Sequence, residues 1–296
     1  MASIANLTKE EEDLIKETFE DYQSGDYIRV LPLNFVTSRK TDVQGVKDFK
    51  IHPDDVWIVT PPKCGTTWTQ EIVWLMKNNV DLEGAKLSQF YRVPYLEIGT
   101  EYDVIPYPEG KEKNAENLKA YMENSVEYAS KMDRPRIIKS HFPLSSLPDG
   151  LLDTCKVIFV TRNIKDMVVS FYHHKKKMEE NGIASKGFPA YANLFRRGLA
   201  TCTPMMEMVL EAWQQRDHPN LHFMTFEDMK ADIDSCLSGL SAFLGVSLTP
   251  EQTETVKTAV SFQSMKNNAA VNKKGEFGGR DGWIRPGGNG NPEDCA

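Results

Sequence analysis

Residues 56–76 read VWIVTPPKCGTTWTQEIVWLM. Val56–Val59 are apolar, β-branched or aromatic, and read as a buried strand. The Pro, Gly and Thr that follow read as a loop. From about Thr67 to Lys77, Ile72, Leu75 and Met76 share one helical face. Strand, tight loop, helix is the layout of a phosphate-binding loop, in which unpaired amides and the positive end of the helix dipole face an anion. The order inside the loop departs from the common G-x-x-x-x-G-K-[ST] pattern: Lys63 precedes the glycine, Gly65. Gly65 lets the backbone approach a ligand, Thr66 and Thr67 add hydroxyls, and Lys63 adds a mobile charge. Together they make an anion cradle; the bland alternative is an ordinary strand-to-helix turn.

Outward from this unit, strands and helices alternate. Thr8 with Glu11 forms a capping box, so a helix is expected from about Lys9 to Tyr22. Residues 79–112 read as irregular, followed by a helix near Asn114–Met132 and strands at Arg136–Ser140 and Lys156–Arg162. Ile164, Met167, Val168 and Phe171 have strong helical spacing. Residues 175–203 read as a loop. A helix near Pro204–Gln215, a strand at Leu221–Phe226, and helices near Ile233–Leu244 and from Pro250 complete the pattern. The expectation is an α/β fold: a central parallel β-sheet flanked by helices, P-loop-like and nucleotide-binding. No repeat or linker divides the chain, so one domain is expected over residues 1–296, ending in a Gly-rich tail from Gly275.

The 296 residues are 40% apolar and 26% charged, ordinary for a globular chain with a sizeable core. No stretch is apolar for long enough to span a bilayer, and the N-terminus has no secretory pattern. The five cysteines, Cys64, Cys155, Cys202, Cys236 and Cys295, are scattered and show no zinc spacing. A reduced, cytoplasmic protein is expected. The net charge of −7 argues against general nucleic-acid affinity and leaves room for a local basic pocket.

Two further groups stand at strand ends. TRNIKDMVVSFYHH places Arg162 where open α/β sheets bind ligands, with Asn163, Asp166 and Ser170 on a helical stripe. Arg162 and Ser170 could grip a second phosphate, or Arg162 could simply pair with Asp166. In KSHF, Lys139 and His141 follow another strand, and His141 can accept a proton near neutral pH. A nucleotide kinase would need carboxylates for Mg²⁺. Here the strands end in cations, which suggests a transferred anionic group held without a metal.

These residues resemble the cytosolic sulfotransferases over roughly Asp54–Asn268. Members move a sulfuryl group from 3′-phosphoadenosine 5′-phosphosulfate (PAPS) to a small acceptor's hydroxyl or amine. PPKCGTTW resembles the family's 5′-phosphosulfate loop, so the resemblance implies that Lys63, Cys64, Gly65, Thr66, Thr67 and Trp68 hold that end of the donor. KSH resembles the segment carrying the catalytic histidine, and RNIKDMVVSFYHH the 3′-phosphate segment with Arg162 and Ser170. FEDMK puts Phe226 where the family has Tyr near the adenine. VSFQSMKNN adds Ser261 and Phe262 on the adenine side. The last 3′-phosphate motif is matched by Arg285, Pro286 and Gly287, with Pro in place of the family's Lys and its Asp-Trp pair missing. A helix that carries a dimer contact usually follows there, so the choice between monomer and homodimer stays open.

The resemblance implies His141 as the base, with Lys63 and Lys139 stabilising the transferred group and Ser170 steering Lys63. FYRVPYLE resembles the family's acceptor-side region, so Tyr95 and Phe90, with Lys139, His141 and Phe142, are expected to line an acceptor pocket for an aromatic or steroid-like molecule. Each of these aromatics could equally be a core residue. The expected partner is that acceptor, without nucleic acid, membrane or metal, in xenobiotic or hormone metabolism. Two rivals are a P-loop nucleotide kinase and a non-catalytic PAPS- or nucleotide-binding protein.

Overall fold

The computed structural model describes residues 3–19, 22–98, 121, 123–178, 186–272 and 284. Its strands fall into two sheets. β1 (Ile4–Asn6), β2 (Tyr27–Val30) and β3 (Phe35–Ser38) form an antiparallel sheet in that order. β4 (Val56–Val59), β5 (Ile137–Ser140), β6 (Lys156–Thr161) and β7 (Leu221–Thr225) form a parallel sheet of order β5-β4-β6-β7. In register, Ile58 of β4 lies opposite Lys139 of β5 and Ile158 of β6.

The parallel strands are largely apolar because helices bury both faces, and polar residues such as Lys139 and Ser140 of β5 and Thr161 of β6 stand toward their carboxyl ends. Trp57, Val59, Ile138, Val157 and Phe159 point into one core. The alternate residues Val56, Ile58, Ile137, Ile158 and Val160 point into the other. β4 is followed on one side by β5 and on the other by β6, so the strand order reverses beside it. Ligands of open α/β sheets bind at such a switch point, outside the carboxyl ends of the strands.

Most expected elements form close to their expected bounds. The first helix is Lys9–Thr18, with Thr8 and Glu11 completing the capping box. The loop helix is Thr66–Lys77, and the one bearing Met167 and Phe171 is Ile164–Met178. Met205–Gln214, Ile233–Leu244 and Pro250–Ala259 follow as read. Residues 79–98 hold only the short turns Gly84–Lys86 and Gln89–Arg92. Of the helix expected near 114–132, the described residues Tyr121 and Glu123 are helical, and after a break at Asn124 a helix spans Ser125–Ser130.

Two expectations need correction. Residues 175–203 are not one loop: the preceding helix runs to Met178, and a second spans Gly187–Arg196. The second buries Tyr191 and Leu194 and packs Phe188 and Phe195 against the core. That spacing is helical; the Lys, Gly and Ser around it masked the signal. The antiparallel sheet β1–β3 was not anticipated. Its strands are three or four residues long and carry polar residues. Val36 joins it to the rest of the fold, its amide donating to the Thr203 carbonyl at 2.7 Å and its carbonyl accepting from the Cys202 amide at 2.8 Å.

Within the tail, Ile284 is described; its amide donates to Asn272 Oδ1 at 2.7 Å and its side chain packs on the second core. Arg285, Pro286 and Gly287 lie outside the described residues. Among those described, no helix is long and apolar enough to cross a membrane.

Candidate active site at the carboxyl ends of four strands

Each strand of the parallel sheet is followed at once by an expected site residue or segment. The loop through Lys63 leaves β4, His141 follows β5, Arg162 follows β6 and Phe226 follows β7.

The loop turns through left-handed backbone at Lys63 (φ 68°) and Gly65 (φ 90°). Gly65 is required twice over. Its φ disfavours any side chain, and a Cβ there would lie 2.8 Å from Cδ2 of Phe226. Gly65 starts the Thr66–Lys77 helix without a side-chain cap, so the first amides of that helix face outward from its positive end. Thr66 is buried, and its hydroxyl lies 2.6 Å from that of Thr60. The Cys64 thiol points the other way, into the core, with Sγ 3.3 Å from Met167 Sδ. Burial pushes its pKa up, so only the Cys64 backbone faces a ligand.

His141 is buried and its Nδ1 lies 2.6 Å from the Thr60 carbonyl oxygen. A carbonyl only accepts, so Nδ1 carries the proton and Nε2 carries the lone pair. Burial holds the His141 pKa well below the usual imidazole value, with the charges of Lys139 and Lys63 acting the same way. The imidazole is therefore neutral near pH 7 and able to accept a proton. Lys139 is itself buried, its Nζ 3.9 Å from the centre of the Tyr95 ring. That ring meets the His141 imidazole edge-on at 5.0 Å.

Arg162 reaches back to the loop, Nη1 donating to the Lys63 carbonyl at 3.4 Å, and lies 4.7 Å over the Phe226 ring. Its approach to Asp166 is 3.8 Å, too long for a hydrogen bond. Trp68 packs edge-on against the other side of the cluster, its ring 5.9 Å from that of Phe226. Arg162 Nε and Trp68 Nε1 are both buried and have no acceptor. Two buried donors without an acceptor, beside one aromatic ring, fit a ligand that bears acceptors.

Other expected residues stand further out or deeper in. Ser170 is half-buried on the Ile164–Met178 helix, eight residues past Arg162. Phe142 is buried edge-on against Phe35 at 5.5 Å, and Phe90 is buried 6.0 Å from Tyr121. Ser261 and Phe262 are exposed, Ser261 capping the helix Phe262–Asn267.

Three residues without an assigned role in the sequence reading belong here. His174 lies one helical turn past Ser170 and stacks on Phe171 at 6.2 Å. Burial holds its pKa well below the usual value, helped by Lys63, Lys175, Lys139 and His141. The pair of histidines in SFYHH was the available signal. Glu227 accepts from the Asn163 amide at 3.0 Å and so fixes the start of the helix that carries Ser170. Glu97, in the FYRVPYLE segment, lies beneath Ser140 and His141. Among the described residues no group of three or more His, Cys, Asp or Glu could hold a metal ion.

A cluster of cations at the strand ends, on a chain of net charge −7, suits a small anionic ligand better than a polyanion. Residues 53–282 match the sulfotransferase domain family. The chain is 31% identical to luciferin sulfotransferase of Photinus pyralis over 238 residues, 79% of this chain and 63% of that protein's length. It is 34% identical to sulfotransferase 1E1 of Bos taurus over 230 residues, 77% of this chain and 71% of that protein. A solved structure of retinol dehydratase with retinol and PAP matches with a TM-score of 0.87 and 29% identity, covering 98% of this chain and 90% of that one. A second, with androsterone and PAP, also has a TM-score of 0.87, at 28% identity, covering 99% of this chain and 92% of that one.

Proposed function

Because the chain belongs to the sulfotransferase family, we propose that it moves a sulfuryl group from PAPS to the hydroxyl, or amine, of a small apolar acceptor, with His141 as general base. The observation that carries this reading is the bond from His141 Nδ1 to the Thr60 carbonyl. It leaves Nε2 as the proton acceptor, on a strand end flanked by Lys139 and the Lys63 loop.

The residues present fit a donor with two anionic ends. Bound PAPS supplies the sulfuryl group, and 3′-phosphoadenosine 5′-phosphate (PAP) is the leaving group. Lys63, Lys139 and the amides from Gly65 to Thr67 oppose the negative charge that grows on the transferred group. Arg162 and Ser170 hold the 3′-phosphate, and the orphaned Arg162 Nε gains its acceptor there. Trp68, Phe226 and Phe262 offer flat apolar surfaces to the adenine, next to Ser261. His141 takes the acceptor's proton as its oxygen attacks, and Ser170 steers Lys63 until the acceptor binds.

The acceptor is an apolar alcohol, phenol or amine of moderate size. One relative is named for luciferin, and the solved relatives hold retinol or androsterone. Tyr95, Phe142 and Phe90 supply aromatic surface on this side. One domain, a cytoplasmic location and a role in hormone or xenobiotic metabolism belong to the same proposal; reduced thiols at Cys64, Cys155 and Cys236 agree with that location.

Transfer of label from PAPS across a panel of phenols, sterols, retinoid alcohols and amines tests the proposal. The expected outcome is transfer to at least one hydroxyl class, insensitive to EDTA, and its loss in His141→Ala. PAP bound tightly with no transfer to any class would make the chain a binding protein instead.

A further inference from the structure

Among the buried ionisable groups that the mechanism leaves unused, Glu97 stands under the strand end that carries the base. Glu97 is 2% exposed, and the segment around it runs beside β5. Tyr95 bridges to Lys139 in parallel fashion, the Lys139 amide donates to the Pro94 carbonyl at 2.8 Å, and the Leu96 amide donates to the Lys139 carbonyl at 3.2 Å. This pairing sets the Glu97 carboxyl directly under the strand end. The Ser140 hydroxyl donates to Oε1 in a very short bond, and the His141 amide approaches Oε2 at 3.4 Å. Ser140 is in turn held by the Phe142 amide, which donates to its Oγ at 3.0 Å. The buried Glu97 carboxyl thus meets Ser140 and His141 directly, Phe142 through Ser140, and Lys139 through its charge.

We infer that Glu97 is a positioning residue for the general base: its carboxylate fixes the Ser140–His141 backbone and offsets the Lys139 charge that otherwise opposes proton uptake by His141. The inference rests on His141 being the base.

Among the described residues, the charged and titratable groups facing Glu97 include Lys139 and His141 on the β5 side and Tyr121, whose hydroxyl accepts from the Tyr95 amide at 2.7 Å. Burial pushes the Glu97 pKa up to about 7, against the lowering effect of the Ser140 bond, the backbone bonds and Lys139. Above about pH 7 the group is a carboxylate, accepts both bonds and counters Lys139. Below, it is a neutral acid that must donate one of its own bonds, and Lys139 acts on His141 unopposed. His141 is neutral on both sides of that transition because its own pKa lies well below 6.5. Transfer should therefore rise with pH through about 7, and the limb belongs to Glu97 rather than to the base.

The experiment follows the imidazole of His141 by NMR against pH in the full chain saturated with PAP, the signal being identified by its loss in His141→Gln. The wild type should show an inflection near pH 7 that Glu97→Gln abolishes. Gln keeps one acceptor for the His141 amide and can donate to Ser140, so PAP affinity should be unchanged while turnover falls on the order of tenfold. An inflection that survives in Glu97→Gln overturns the inference. Should that variant not fold, Ser140→Ala carries the test: it removes a donor that favours the carboxylate, so the inflection must move to higher pH, and an unmoved one overturns the inference. Near-full turnover in His141→Ala would instead overturn the base itself, and the two failures are told apart by which variant gives the unexpected result.

Discussion

The two ends of the proposed donor site are built differently. The sulfuryl end stands on β4 and β5, where Lys139 and His141 are 8% and 4% exposed and the two strands pair in register. The adenine end is assembled from the ring of Phe226 and from the start of a late helix, where Phe262 is 49% exposed. Electrostatics is strong and reorganisation small at the first end; at the second, water competes for every contact. The difference implies that changes at the sulfuryl end alter turnover, and that changes toward the adenine alter binding by smaller amounts.

The sharpest way to break this contrast is at His141. His141→Ala should reduce transfer by about 10²- to 10⁴-fold, the usual worth of a positioned base. PAP affinity, measured by calorimetry, should hardly change. A large loss of PAP affinity would show that the imidazole serves the fold of the loop through Thr60 rather than the reaction.

Arg162 tests where the two ends divide. Its guanidinium braces the Lys63 carbonyl and also presents an unpaired buried N–H. Loss of a charge-assisted bond is worth about 1.5–3 kcal/mol, roughly tenfold to over a hundredfold in affinity. Arg162→Ala should weaken PAP by that factor and an analogue lacking the 3′-phosphate far less. Equal weakening would assign Arg162 to bracing the loop alone.

Gly65 joins the ends, since the same position sets the amides of the loop and the seat of Phe226. Gly65→Ala should cost about 1–2 kcal/mol for the left-handed backbone alone, read as a fall in the midpoint of urea unfolding. The close approach to Phe226 adds to this. Combining it with Phe226→Ala should recover the steric part and leave the backbone part. If the double variant were merely additive, the ring would not be the neighbour that matters.

The contrast also explains what the sequence disclosed. Two of the parallel strands were readable because burial on both faces demands unbroken apolar runs, and VWIV and VIFV (157–160) contain nothing else. The site was readable for a related reason: polar residues that end such a run have few structural uses. β1–β3 were missed because strands of three or four residues that carry polar side chains give little periodic signal; YIRV and FVTS, separated by LPLN, carried a hairpin signal too short to stand out. Glu97 was quoted without a role because its significance arises from pairing between segments some forty residues apart, the Ser140 bond spanning 43. His174 was missed likewise: its company of Lys63, Lys139 and His141 comes from three different elements.

Phe262 should give the smallest effect. It stands exposed on the first turn of its helix, with the Lys266 ammonium 6.0 Å from the ring centre. An exposed cation–π contact is worth about 0.5–1 kcal/mol. Phe262→Ala should therefore leave stability within about 0.5 kcal/mol and weaken PAP only a few-fold, with turnover at saturating PAPS unchanged. That outcome follows if Phe262 offers one solvent-exposed face to a base whose phosphates are gripped elsewhere. Loss of turnover at saturation would mean that this helix closes onto the sulfuryl end during the reaction, and the division of labour between a rigid chemical end and a yielding binding end would have to be abandoned.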